Sequence, residues 1–541
     1  MDTSETRTKT AAPFASRPRA GIRAYLVGGG IASLAAAVYL IRDAGVPGAQ
    51  IQILEQAHEF GGSLDAGGSA EQGYTMRGSR MFGAAYGLTY DLLDGIPSLD
   101  DPSRSVTQDT LEFSQAAEWH AGARLIERGQ VRDTSSLGFD NRDRVALIQL
   151  MLNPEASLGA ATIEQCFGPH FFGTNFWFMW CSMFGFEPWH SAAEFRRYVL
   201  RFLLLLPELA SMRLIQTTRY NGRDSIVTPL VRWLKSQGVR LRTGVEATDL
   251  EFAEADGARS VTAIHWVERG RPGATALGAD DLAIVTLGSM TAGASLGTMD
   301  APPRPAPQRD AGSWNLWRRV AARGSGFGRP QAFCEHVERT RWITFTVTPR
   351  DGRFFERMQA LCGRPAGRGG LVTVKDSPWL LTFHLYHPPA YAGQPESQFV
   401  SWGYGLFADR PGRFVPKPML DCSGREILVE LFSMLGWQDD LDQLLAGATC
   451  RPCLLPYTTS QFMPRAPDDR PQVVPEGARN FAFVGQYCEI PDDVVYTVEY
   501  SVHSALRAVA TLFGFTERIP PTYQGLRHAS ALTDAMRIIL A

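Results

Sequence analysis

AYLVGGGIASLAAAVYLIRDAGVPGAQIQILE, residues 24–55, is the stretch that decides the fold. Residues 24–27 form a short apolar run of strand character, GGGIAS follows as a glycine-rich turn, and LAAAVYLIRDAG reads as a helix. QIQIL (50–54) is a second strand, ending at Glu55. Strand, glycine turn, helix and strand in that order make a βαβ opening, the unit of Rossmann-like α/β sheets. Gly28 and Gly30 let the backbone turn tightly and approach a pyrophosphate, and the helix start offers free N–H groups and its positive dipole end. Ser33 stands in place of a third glycine and is small enough for helix to pack on strand. Glu55 lies where a carboxylate accepts hydrogen bonds from a ribose, and Gly61 and Gly62 just beyond it favour FAD over NAD. A glycine motif alone is a weak signal, but here strand, helix and carboxylate flank it.

Outward from this opening, two further blocks carry the same character. DSIVTPLVRWLKSQGVRLRTGVEATDLEF (224–252) leads to the apolar strand DLAIVTLGSMT (281–291), and NFAFVGQYCEI (480–490) is a strand with a turn at Gly485, followed by a helix starting near Thr497. One FAD-binding domain assembled from residues 21–150, 220–300 and 475–515 is the natural reading. Residues 151–219 form a helical substrate-channel segment, APPRPAPQRD (301–310) a linker, 311–474 a mixed α+β substrate domain with an antiparallel sheet, and 516–541 a helical end. Residues 1–20 read as a disordered lead, with no apolar core for a secretory signal.

The composition agrees with a multidomain enzyme. The chain has 541 residues, 45% hydrophobic and 20% charged, with a net charge of -3. No basic face announces nucleic acid. The eight cysteines are scattered like reduced core thiols of a cytoplasmic protein. Cys450 and Cys453 have redox-motif spacing but no second pair to complete a zinc site, so no metal is expected. FFGTNFWFMWCSMFGF (171–186) is too short to span a membrane, and reads either as core or as the wall of an acyl channel.

Several strings together resemble one family: residues 28–55, GGSLDAGG (61–68), YTMRGSRM (74–81), FEPWHSAAEFRRY (186–198), 402–428, TSQFMPRAPDDRPQVVPEG (459–477) and EIPDDVVYTVEYSV (489–502). They are similar to the oleate hydratases, formerly called myosin-cross-reactive antigens, over nearly the whole chain after the first twenty residues. The resemblance implies an FAD-dependent hydro-lyase that adds water to the cis double bond of a free unsaturated fatty acid, with no net redox. It extends the cofactor set to Ser63, Arg77, Gly78, Ser79, Val245, Gly485 and Thr497. It makes Tyr198 the proton donor, with Tyr220 as the nearby competitor.

The chain departs from that family in two places. The family loop places a glutamate to position water; here Met81 stands there, and Ser79 replaces a glycine. A thioether cannot act as a general base. In LLTFHLYHPPAY (380–391), the family positions for the substrate carboxylate are His384, Tyr386 and Ala390, and Ala390 cannot donate a hydrogen bond. Rival readings are a flavin-dependent oxidoreductase or double-bond isomerase acting on a similar lipid, and a non-catalytic lipid-binding protein. HASALTDAMRIILA (528–541) reads as an amphipathic helix touching either a membrane surface or the protein itself, and the protein as monomer or homodimer.

Overall fold

The computed structural model describes residues 12–79, 81–117, 121–306, 311–365, 367–368 and 370–541. Arg23–Val27 is a strand, Ile31–Arg42 a helix and Ile51–Glu55 a strand. The helix buries Ala32, Ala35, Ala36 and Ala37, whose small side chains let it lie close on the sheet and against the Val498–Phe513 helix. The two strands run parallel and sit inside a parallel sheet. Its order is Phe481–Val484, Asp281–Thr286, Arg23–Val27, Ile51–Glu55, Arg240–Thr243. Asp281–Thr286 is an almost continuous apolar run, as expected for a strand covered on both faces. An antiparallel three-stranded meander, Val245–Ala255, Ala258–Glu268 and Arg271–Ala276, is inserted between Arg240–Thr243 and Asp281–Thr286. The architecture is Rossmann-like α/β.

A second, eight-stranded sheet carries the rest of the core. Its centre is the antiparallel set Ala448–Leu455, Trp342–Pro349, Ser401–Gly405, Leu381–Leu385 and Leu371–Val374. Its margins draw on short strands from outside residues 311–474. Leu125–Glu127, assigned by sequence to the FAD-binding part, pairs with Leu371–Val374, and Ser295–Leu296 pairs with Ala448–Leu455. Backbone pairing ties short strands to a sheet whatever their distance along the chain, so composition could not place them.

Within residues 1–20, the described residues begin at Ala12. Phe14 is buried, its N–H donates to the Leu512 carbonyl (2.9 Å), and its ring stacks on Phe513 at 5.4 Å. Residues 1–11 and 307–310 of the proposed lead and linker lie outside the described residues. Cys450 and Cys453 are free and buried. At the C-terminus the Ala529–Leu540 helix buries Ala535 and Ile539 and packs on residues Leu203–Glu208. Among the described residues no helix is long and apolar enough to cross a membrane.

Candidate active site

The glycine turn ends at Gly30, which caps the Ile31–Arg42 helix without any side-chain hydrogen bond and with no acid in the first turn. The helix therefore presents its first N–H groups uncapped by side chains. A Cβ added at Gly30 would meet nothing within 4 Å, so space lies open in front of this positive end. Gly28, with φ 97°, and the parallel bridge between Gly30 and Gly61 fix the turn. Glu55 accepts hydrogen bonds from the N–H groups of Gly29 and Ala57 (2.6 Å to the latter). Burial raises the pKa of its carboxyl against those two bonds. Ser33 lies within 3.2 Å of the Thr286 hydroxyl. Gly485 donates its N–H to Ser504 Oγ (2.9 Å), and Thr497 caps the Val498–Phe513 helix through the Tyr500 N–H (3.1 Å). Val245 is buried at the start of its strand.

A small cavity is lined by Ser63, Arg77, Gly78, Met290, Thr291, Trp342, Trp402 and Tyr496, among others. Arg77 is held by Asp65 (3.1 Å) and the Thr291 carbonyl (3.4 Å). The indole N–H groups of Trp342 and Trp402 are buried and have no hydrogen-bond partner among the described residues. Orphaned donors in a cavity call for an acceptor that protein does not supply. Together with the open helix N-terminus, they fit a large anionic cofactor with polar ring edges.

Trp342, Trp402 and Tyr496 also line a larger cavity, together with Ser79, Met81, Phe184, Tyr198, Phe202, Tyr404 and Thr497. Its walls are mainly apolar, suited to a hydrocarbon. Gly185 ends the Asn175–Phe184 helix at φ 82°, and a Cβ there would come within 2.6 Å of the Trp342 ring. Only glycine lets helix end and indole meet. In the aromatic segment 171–186, Phe176, Met179 and Trp180 are core, while Ser182–Gly185 line the cavity.

Tyr198 comes from the Ala192–Arg201 helix, capped by Ser191. It is buried edge-on between Phe184 (5.0 Å) and Phe186 (4.9 Å), and its hydroxyl donates to the Val495 carbonyl. The next residue in that loop, Tyr496, has φ 70° and lines both cavities. Behind Tyr198 lies a buried ionic cluster. Arg197 grips Glu155 (2.7 Å) and Glu489 (2.7 Å), Arg465 reaches Glu194 (3.0 Å) and Glu489 (2.8 Å), and Arg470 reaches Glu194 (2.9 Å). Burial works to raise the Glu194 pKa, but Arg470, Arg465 and Arg197 hold it down at about 2. Arg197 also donates to the carbonyls of Ile490 and Asp493, each at 3.4 Å, and so fastens the loop that carries Val495 and Tyr496.

The other sequence candidates sit elsewhere. Tyr220 donates to Asp100 (2.6 Å) at an exposed position and does not line the large cavity. His384 approaches the Gly370 carbonyl through Nδ1 (3.3 Å), and burial lowers its pKa to about 4. Tyr386 donates to Met76 Sδ (2.9 Å). Sequence reasoning missed Trp342, Trp402 and Met290. Tyr496 lay within a string read only for its helix start, and nothing in RWITFTV tells whether its tryptophan faces core or cavity.

A model of the MCRA family matches residues 22–510 of the chain. The chain belongs to the MCRA family. It is 34% identical over 525 residues to the oleate hydratase of Streptococcus pyogenes serotype M49 (strain NZ131), covering 95% of this chain and 88% of that protein. It is 29% identical to the linoleate hydratase of Lactiplantibacillus plantarum, covering 89% and 92%. Among solved structures it is similar to an oxidoreductase from Methanosarcina mazei, with a TM-score of 0.49, 10% identity and coverage of 90% and 99%. Putrescine oxidase bound to putrescine is similar with a TM-score of 0.48, 11% identity and coverage of 91% and 99%.

Proposed function

We propose that this member of the MCRA family is an FAD-dependent fatty acid hydratase, adding water to an isolated cis double bond of a free unsaturated fatty acid. The observation that carries the reading is a buried tyrosine, Tyr198, in the wall of a mainly apolar cavity. The hydratases of S. pyogenes and L. plantarum support the substrate class.

In this reading Tyr198 gives its phenolic proton to one alkene carbon. Positive charge develops on the neighbouring carbon, where the faces of Phe184, Trp342 and Tyr404 in the cavity wall can lower its energy. A water oxygen bonds to that carbon, and the proton the water loses restores the tyrosine hydroxyl. No electrons are transferred. Met81 cannot take that proton, but Ser79 and Tyr496 line the same cavity and carry hydroxyls that can hold the water. Gly28, Gly30, Ser33, Glu55, Gly61, Gly62, Ser63, Arg77, Gly78, Ser79, Val245, Gly485 and Thr497 would hold FAD. When bound, the flavin would supply a fixed polar ring system that tunes the field of the site. His384 and Tyr386 are assigned to the substrate head group. The protein works as a monomer or homodimer in the cytoplasm, with the Ala529–Leu540 helix docked on the protein itself through Ala535 and Ile539.

Incubation with FAD, a reductant and a panel of cis-unsaturated acids in ¹⁸O-labelled water tests this. The product should gain one water, carry the label in its hydroxyl and consume no stoichiometric electrons. An unlabelled product, or one electron pair spent per turnover, rejects the hydratase in favour of a redox enzyme.

A further inference from the structure

Hydroxyl groups set into an apolar wall are the points at which water can be held. In the large cavity, several of them give their protons to backbone carbonyls. Tyr198 donates to Val495, Tyr404 to Ser182, Ser182 to Met179 (3.3 Å) and Thr497 to Val494 (3.0 Å). Tyr86 lines the same cavity and is 5% exposed, yet its hydroxyl has no hydrogen-bond partner among the described residues. Nor is that oxygen sealed in the packing, as the indole N–H groups of Trp342 and Trp402 are. It stays open to a small molecule.

Packing alone gives this hydroxyl no reason to be there. The ring stands edge-on to Phe82 (6.1 Å) and tilted against Phe202 (6.4 Å), and a Cβ on Gly83 would touch its Cε1 at 3.4 Å. Phenylalanine would fill that space equally well, without a polar atom to desolvate. Phe202 also packs against Tyr198 at 5.5 Å, so the two tyrosines meet one ring of the wall. Burial raises the Tyr86 pKa, and the phenol keeps its proton at neutral pH. Met81, in the same wall, offers only a thioether, a weak acceptor.

Resting on the hydratase reading above, we propose that Tyr86 holds the water that attacks the alkene, beside Ser79 and Tyr496. Its oxygen accepts a hydrogen bond from one water O–H, which leaves a lone pair of that water for the carbon that turns positive once Tyr198 has given its proton to the neighbouring one. The C–O bond forms, the added water gives one proton to the Tyr198 oxygen, and Tyr86 ends protonated as it began. When no water is held in place, the cation instead loses a C–H proton to Tyr198 and an alkene is formed again.

The test incubates the full-length protein, supplied with FAD, in D₂O with oleic acid or whichever acid of the panel the wild type hydrates fastest. Hydroxy acid and recovered alkene are both analysed by mass spectrometry, for wild type, Tyr86→Phe and Tyr198→Phe. Tyr86→Phe removes only an oxygen without a protein partner, so the fold should hold. Hydration should fall about 10-fold, the scale of one lost hydrogen bond, with flavin absorbance and KM for the acid unchanged. Deuterium in the recovered alkene per hydroxy acid formed should rise by a similar factor, because protonation continues while capture fails; Tyr198→Phe should lower both. A role in packing alone would move KM or flavin binding and leave that ratio where it was. Normal hydration by Tyr86→Phe, or reduced hydration at an unchanged ratio, overturns the role of Tyr86 and leaves the hydratase reading standing. A wild type that hydrates no acid of the panel overturns both.

Discussion

Around Gly28–Gly30 nearly every feature comes from one continuous stretch, residues 23–62, whereas the cavity at Tyr198 draws its walls from segments near residues 81, 184, 198, 342, 371, 402 and 496. The first region needs only a strand, a turn and a helix in sequence, each fixed by local backbone geometry. The second has no local rule behind it. Its tyrosine is set by a helix, by a carbonyl nearly three hundred residues away, and by an ionic cluster that locks the loop carrying that carbonyl. A local site should therefore break at single positions without disturbing the fold. A convergent site should break through its supports as well as through its reacting group.

The largest effect is expected in the local region. Gly30→Asp puts a side chain into open space, and aspartate is a good helix N-cap, so the fold should hold. The same carboxylate meets the cofactor phosphates, so flavin absorbance after reconstitution with FAD should be lost, and activity with it. Equal FAD affinity in this variant would remove the assignment of the loop.

The next largest effects separate the reacting group of the cavity from its supports. Tyr198→Phe keeps the ring and removes the acid, so turnover should fall by roughly 10²–10⁴, as for lost general acid catalysis. Tyr220→Phe, at its exposed site beside Asp100, should leave turnover near normal. The opposite pattern would move the acid to Tyr220.

Glu194→Gln takes from Arg470 its nearer carboxylate and leaves Arg465 with Glu489 alone, and should lower stability in denaturant titrations. Its pH dependence has a definite sign. The folded-state pKa, about 2, is below that of the unfolded chain, so the contribution is present above the ordinary glutamate range and is lost as pH falls toward 2. Melting temperatures of wild type should drop through that acid window more steeply than those of Glu194→Gln; parallel curves would show that the cluster does not hold the loop.

The smallest effect is expected at Met81, which is half-buried in the cavity wall. With water held by the hydroxyls around it, Met81→Ala should change turnover by less than about tenfold. Met81→Glu should gain little, because burial raises the carboxyl pKa and leaves it a poor base. An inactive wild type rescued strongly by Met81→Glu would instead identify a lipid-binding protein that has lost its chemistry.

Much of the nucleotide-binding half was legible from the chain alone. The apolar runs at 23–27, 281–286 and 481–484 announced buried parallel strands, and the glycines between strand and helix announced the turn. The cavity was legible only through its strings. Met81 and Tyr198 could be named from motif resemblance, and they do share one cavity, while Tyr220, the nearby competitor in sequence, lies away from it. Trp342 and Trp402 are separated by the alternating pattern of buried strands, where every residue of both strands is covered and periodicity no longer distinguishes faces.

The sequence by itself determined the βαβ opening, the antiparallel character of the second half and the residue types available for proton donation, because these depend on interactions between neighbours along the chain. The tertiary structure decided which tyrosine meets an apolar cavity, which indole N–H groups are left without acceptors, and that the Tyr86 hydroxyl has no partner among the described residues. Those facts depend on desolvation and on distances between remote segments. Burial is a property of the packed whole, and no single stretch of chain carries it.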